Sequence, residues 1–288
     1  MQAYDTVWRE GLLWQLHHKG IRGRLFRVLA NIADASVSTV GHRGAYSEPF
    51  ATDLGWEQGD TLATTMYNVY IDAVLREVWA AHTGVPLPSA TPETQEGEHR
   101  DKVVALLYAD DMIGFAETEA SLQQLMEATR AAMCKWRMKA SVDAGDGSKT
   151  AVMVIRHAKH PGRSRGRQPS GQRTQWQWGE LIVPQVQEYK YLGVYLSAED
   201  TYASHFKARK TSADAAARTY GSHLREDRTP MKLRKLILAA AIQPILSYAS
   251  EVWSRATLEH RRRLDGWQMG HVTSMLGLPA TATHHCVQ

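Results

Sequence analysis

Two adjacent carboxylates, Asp110 and Asp111, interrupt an apolar run, Leu106-Leu107-Tyr108-Ala109-Asp110-Asp111-Met112-Ile113-Gly114-Phe115. Short apolar runs on either side of a polar break read as a β-hairpin with acid at its tip. Carboxylates presented in this way suit phosphoryl transfer with divalent metal ions, which activate an attacking oxygen and steady the departing group. Magnesium is the fitting ion, because it takes a few carboxylates and completes its shell with water and phosphate oxygens. The plainer alternative is a turn in which the two acids make only local hydrogen bonds. On Tyr108-Ala109-Asp110-Asp111 alone, that alternative is preferred.

The surrounding stretches reverse the preference. Gln58-Gly59-Asp60-Thr61-Leu62 lies upstream, and Gly147-Ser148-Lys149-Thr150 and Tyr191-Leu192-Gly193-Val194 lie downstream. Ala3-Tyr4-Asp5-Thr6-Val7-Trp8 precedes them all and Tyr248-Ala249-Ser250-Glu251-Val252-Trp253 follows. In this order they resemble the reverse transcriptase domain of non-LTR (LINE-type) retrotransposons. Each motif is weak alone, whereas their order over nearly the whole chain is specific.

The resemblance implies an α+β fold: a right-hand polymerase palm of antiparallel sheet with packed helices, followed by a helical thumb. It implies an RNA-directed DNA polymerase that uses two Mg2+ ions to join dNTPs to a DNA primer on an RNA template, with a nuclear location. Asp110 and Asp111 take the metal-ligand and catalytic positions. Tyr4 matches the aromatic that packs under the incoming sugar and obstructs a ribose 2′-hydroxyl. Gln58 and Gly59 match the pair that approaches the nucleotide, where glycine admits close backbone contact. Lys149 matches the cation near the nucleotide phosphates, able to neutralise or protonate pyrophosphate. Tyr191, Leu192 and Gly193 match the primer grip.

Each has a plain structural alternative: a core tyrosine, an ordinary turn, a solvated lysine and a routine β-turn. For Lys149 the two readings balance, and for the others the resemblance tips the choice.

The family's first motif places an Asp and a short spacer ahead of the Ala-aromatic pair, and that Asp would precede Met1. Asp5 is no substitute, since it is expected to cap the next helix. The expectation is therefore a core truncated at its N-terminus, short of one carboxylate and catalytically silent as given. Glu57 where relatives carry Arg, and Thr61-Leu62-Ala63-Thr64 where they carry prolines, also depart from the pattern. The alternative is a degenerate remnant that at most binds nucleic acid. An RNA-templated RNA polymerase ranks lower, because it has no use for Tyr4 as a sugar gate.

The elements that must position these residues are legible from periodicity. Val7, Trp8, Leu12, Leu13 and Leu16 mark a helix ending at Gly20, and Ile21, Leu25, Val28, Leu29 and Ile32 mark a second. Residues 37–46 read as a hairpin, and a helix runs from Leu62 to about Trp79. The stretch from His82 to Arg100 reads as a loop. A helix carrying Leu122, Leu125, Met126, Thr129, Met133 and Trp136 should pack beneath the acidic hairpin. Residues 151–155 read as a short strand, and Leu181 to Leu196 returns to strand character. From Thr201 onward the chain reads as helical, with Pro230 near one helix start and Pro244 bending the next. A boundary near Ala198 divides an incomplete fingers and palm (1–198) from a thumb-like region (199–288).

At 288 residues with 43% hydrophobic content, the chain can bury a sizeable core. Its net charge of +4 fits a nucleic-acid partner without demanding one. Arg156, Lys159, Arg163, Arg165, Arg167 and Arg173 form a basic run, followed by His205, Lys207, Arg209, Lys210 and Arg218 on a predicted helix; either could follow a phosphate backbone, though such runs are more often solvated faces. Cys134 and Cys286 are too few and too distant for a disulfide framework or a thiolate zinc site, so no disulfide-linked partner is expected. No run is apolar enough to span a bilayer and no signal peptide is evident, so no membrane partner and an intracellular setting are expected.

Overall fold

The computed structural model describes residues 3–34, 37–52, 54–56, 61–87, 102–142, 149–155, 174–199, 201–226, 228–253, 258–276 and 278. They fall into two compact units, Met1–Thr150 with Arg173–Pro184, and Ala151–Gln172 with Gln185–Gln288. These limits differ from a single division near Ala198: the hairpin just before that point belongs with the C-terminal helices.

The first unit opens on a 3-10 turn, Ala3–Thr6, followed by α1 (Arg9–His18) and α2 (Gly23–Asp34). Val7, Leu12 and Leu16 are buried, as their spacing predicts. The expected cap is corrected: α1 begins at Arg9 with Trp8 as its N-cap and no side-chain cap, so Asp5 sits in the 3-10 turn instead. That turn allows the carbonyls of Tyr4 and Val7 to accept the N–H groups of Trp56 and Gly55, each at 2.9 Å. Only Leu29 and Ala33 of α2 are buried, while Leu25, Val28 and Ile32 remain exposed.

The hairpin expected over 37–46 is nested. β1 (Val37–Ser38) pairs with β4 (Phe50–Ala51), and β2 (Gly41–His42) pairs with β3 (Ala45–Tyr46). Next comes α3 (Ala63–Ala81), whose Met66, Tyr67, Tyr70, Ile71, Val74 and Val78 form a buried stripe. The loop expected after His82 contains β5 (Val85–Pro86), paired with β6 (Lys102–Val103).

The acidic hairpin is β7 (Ala105–Tyr108) with β8 (Asp111–Gly114). It leads to α4 (Glu119–Lys135), capped by Thr118, whose side chain accepts the Ser121 N–H at 3.1 Å. Helices α1, α3 and α4 share one core. β9 (Trp176–Trp178) and β10 (Leu181–Val183) lie on α4. There the Gln123 amide covers the strand edge, donating to the Gln177 carbonyl at 2.8 Å and accepting its N–H at 3.0 Å.

In the second unit, the strand expected over 151–155 reduces to one parallel bridge between Val152 and Gln185. The neighbouring chain bends at Gln187 on its way into β11, so it offers an edge for one pairing only. β11 (Glu188–Tyr191) and β12 (Val194–Ser197) form a hairpin against α5 (Ala203–Thr219). α6 (Gly221–Arg225) and α7 (Met231–Ile237) follow, with Pro230 at the N-cap of α7 as expected. A π turn, Leu238–Ile242, joins α7 to α8 (Gln243–Leu246), where Pro244 opens the helix. The bend expected at Pro244 takes this form because proline lacks an N–H and crowds the preceding turn, which the wider π turn accommodates. α9 (Leu258–Met275) contributes Leu264, Trp267 and Val272 to this unit's core. Among the described residues, no helix is long and apolar enough to cross a membrane.

Candidate active site

The acidic hairpin closes at the pair Tyr108 and Asp111, leaving Ala109 and Asp110 as a two-residue tip. Ala109 takes φ 52, a left-handed conformation that crowds a Cβ. Ala105 is buried and Leu107 half-buried toward the core, whereas Tyr108, Asp110 and Asp111 are exposed. Gly114 brings the base of the hairpin tight against α4: a Cβ there would lie 3.0 Å from Leu125 Cδ2. The helix predicted to underlie the hairpin does so.

Tyr67 links this tip to the start of the chain. Its ring is buried on α3, 5.0 Å from the ring of Tyr4 at a 47° tilt. Burial pushes its phenol pKa well up, and the negative charge of nearby Asp110 adds to the rise, followed by Tyr4 and Tyr70. Tyr4 and Leu107, the latter on the strand that leads to Asp110, pack against one core with Tyr67. Tyr67 went unnoticed in the sequence because it follows the helical period of α3 like any core residue, and its polar tip is shared by Tyr70 on the same stripe.

Arg9 is the second unforeseen contributor. It is buried and its guanidinium fans out over the segment before Gln58. Nε donates to the Gly55 carbonyl at 2.8 Å, and Nη1 to the carbonyls of Ala33 at 2.8 Å and Thr52. Nη2 reaches Thr52 Oγ1 at 3.2 Å and the Leu54 carbonyl at 3.4 Å. With the backbone bonds from Trp56 and Gly55 to Tyr4 and Val7, this pins the approach to Gln58 beside the Tyr4 turn. Gln58 and Gly59 themselves, like Glu57 and the whole basic run from Arg156 to Arg173, lie outside the described residues.

Lys149 is exposed in the same unit as the acidic tip. Its neighbour Thr150 is anchored to the Ser141 carbonyl through both its N–H (3.2 Å) and its hydroxyl (3.0 Å). Tyr191, Leu192 and Gly193 belong to the second unit. Leu192 (φ 46) and Gly193 (φ 81) form the tip between β11 and β12, both in the left-handed region. Trp176 is a core residue of the first unit, and Trp253 packs on Phe206 with ring centroids 4.9 Å apart.

The carboxylates of Asp110 and Asp111 are hard, exposed oxygen donors of the kind Mg2+ takes. They fit part of a metal site. Among the described residues, no group of three or more His, Cys, Asp or Glu side chains completes one.

The profile of the family described as Reverse transcriptase (RNA-dependent DNA polymerase) matches residues 1–196. The chain belongs to that family. The RNA-directed DNA polymerase from mobile element jockey of Drosophila funebris is 26% identical over 294 residues, covering 96% of this chain and 28% of the relative. Its counterpart in Drosophila melanogaster is 22% identical over 289 residues, with the same coverage. The probable RNA-directed DNA polymerase from transposon BS of Drosophila melanogaster is 23% identical over 265 residues, covering 91% of this chain and 26% of the relative. The chain thus spans about a quarter of the length of these curated relatives. The non-LTR retrotransposon kinship read from the motif order is borne out.

Proposed function

We propose that this chain is the core of an RNA-directed DNA polymerase, palm and thumb, that extends a DNA primer with dNTPs on an RNA template. The packing of Tyr4 and of the strand that leads to Asp110 against one core with Tyr67 carries the proposal, since a sugar gate and a metal-binding acid must share one nucleotide. Asp110 and Asp111 would hold magnesium, which when bound supplies Lewis-acid stabilisation to the attacking and leaving oxygens. Tyr4 obstructs a 2′-hydroxyl on the incoming sugar. Gln58 and Gly59 meet the nucleotide, Lys149 neutralises its phosphates, and the tip at Tyr191, Leu192 and Gly193 seats the primer end. By kinship, the setting is the nucleus.

Departures inside the sequence favour a second reading. Glu57 stands where relatives carry Arg, and Thr61-Leu62-Ala63-Thr64 where they carry prolines. An acid beside a triphosphate weakens its hold on the nucleotide, and the chain then acts at most as a nucleic-acid binder. Primer extension on an RNA template separates the two: one protein is the chain itself, the second carries an upstream Asp and spacer, and Asp110→Asn in the second is the control. Extension by the second protein that Asp110→Asn abolishes supports the polymerase. Salt-sensitive RNA binding without extension in any version supports the binder.

A further inference from the structure

The hairpin of β11 and β12 ends in a tip with an uncommon first residue. Both of its residues are left-handed, Leu192 at φ 46 and Gly193 at φ 81, although leucine is poorly suited to that region. An external contact supports the conformation. The Tyr248 hydroxyl donates to the Leu192 carbonyl at 2.8 Å. The Tyr248 ring also lies against Gly193, where a Cβ would stand 3.0 Å from Cε1. Glycine is required there twice over, for its φ and for this approach.

Tyr248 is itself held by the hairpin it clamps. The Tyr195 N–H on β12 donates to His205 Nδ1 at 3.4 Å, which leaves the proton on Nε2, and Nε2 faces the Tyr248 carbonyl at 3.3 Å. The Arg209 guanidinium lies 5.3 Å over the Tyr248 ring, bringing a cation beside the tip. Leu192 is 37% exposed and Tyr248 45% exposed. A hydrogen bond between groups so open to water adds little stability, so what it governs is where the tip points.

We propose that Tyr248 is a positioning residue for the primer's 3′-terminal nucleotide, acting through the Leu192 carbonyl and the Gly193 backbone. The proposal rests on the reading of residues 191–193 as the primer grip. Tyr248 need not touch the primer. It fixes the turn that does, and removing its hydroxyl frees the tip while leaving the packed ring in place.

The test uses the full chain and a DNA primer annealed to an RNA template, with 2-aminopurine at the primer 3′ end or well upstream. Binding is followed by anisotropy, and the state of each reporter base by its fluorescence. The wild-type protein is expected to change the terminal signal on binding. Tyr248→Phe should keep overall affinity within about twofold, because backbone phosphate contacts dominate it. The same variant should lose more than about half of the terminal response, since a loosened supporting shell degrades placement. The upstream reporter should respond as in wild type. Gly193→Ala, which pushes the Tyr248 ring away, should reproduce the terminal loss, with circular dichroism checking that both variants are folded. A folded Tyr248→Phe with a wild-type terminal response overturns the proposal alone. A wild-type protein that binds the duplex without any terminal response overturns the grip reading and the proposal with it.

Discussion

Replacing Arg9 with methionine should cost the first unit more than any surface change. All five guanidinium N–H positions have acceptors, drawn from Ala33, Thr52, Leu54 and Gly55. The bonds to Ala33 and Gly55 are buried, so in Arg9→Met those two carbonyls lose their partner with no route to water. Each orphaned carbonyl costs about 1–3 kcal/mol, giving a central expectation of about 4 kcal/mol. The Thr52 and Leu54 contacts are only part-buried and add little, while the methionine stem keeps most of the packing. At about 2–4 °C per kcal/mol for a domain of this size, Tm should fall by about 8–16 °C. Thermal unfolding followed by tryptophan fluorescence measures it, with buried Trp56 beside the affected segment. Arg9→Lys should recover only part of the loss, because an ammonium lacks the planar fork. A Tm within about 3 °C of wild type for Arg9→Met, or full recovery with lysine, would refute the reasoning.

Two further outcomes follow from the backbone and from His205. Ala109→Gly relieves about 1–2 kcal/mol of left-handed crowding and loses about 0.5–1 kcal/mol to a freer unfolded chain, for a net gain of roughly 0.5–1 kcal/mol. A urea midpoint that moves down rather than up contradicts this. Burial holds the His205 pKa below its ordinary 6.5, outweighing the bond to the Tyr248 carbonyl, with Arg209 pushing in the same downward direction. Between its folded and unfolded values the unfolded chain binds the extra proton, so this contribution is complete above about pH 6.5 and is lost as pH falls through the folded value. Denaturation midpoints taken across that window should decline on acidification, and His205→Gln should flatten the decline. A decline identical in the variant assigns it to other groups.

Periodicity made α1, α3 and α4 legible, because each buries one face and the buried residues recur at helical spacing. It also placed the two hairpins, each with a turn signal between apolar runs. It failed where tertiary partners decide. Residues 151–155 have the composition of a strand, yet only Val152 finds an edge. Asp5 has the chemistry of a cap, yet the chain spends those residues on a 3-10 turn that docks Tyr4 against Trp56. Leu25, Val28 and Ile32 follow a helical period, yet they stay exposed on α2. At the candidate site the exposed acids stood out, because a carboxylate pair inside an apolar run is anomalous. Tyr67 and Arg9 did not, because their roles come from partners far away in sequence.

The two hairpins solve a common problem by different means. Each carries four-residue strands and a two-residue tip whose first residue is left-handed without being glycine, Ala109 in one and Leu192 in the other. Such conformations persist only when their surroundings over-determine them. At Leu192 the support comes from the Tyr248 hydroxyl and from Gly193, which eases the second turn position. At Ala109 no glycine follows, and the restraint comes from below, where Gly114 lets the strands seat on Leu125 and the Phe115 N–H binds the Val104 carbonyl at 2.8 Å. A hairpin held at its base keeps its tip open to solvent and to ligands, as carboxylates that bind a hydrated cation require. A hairpin clamped at its tip instead presents a fixed backbone surface, as a primer end requires. The difference in anchoring therefore matches the difference in proposed task, and exchanging the two modes of support should impair each hairpin in its own way.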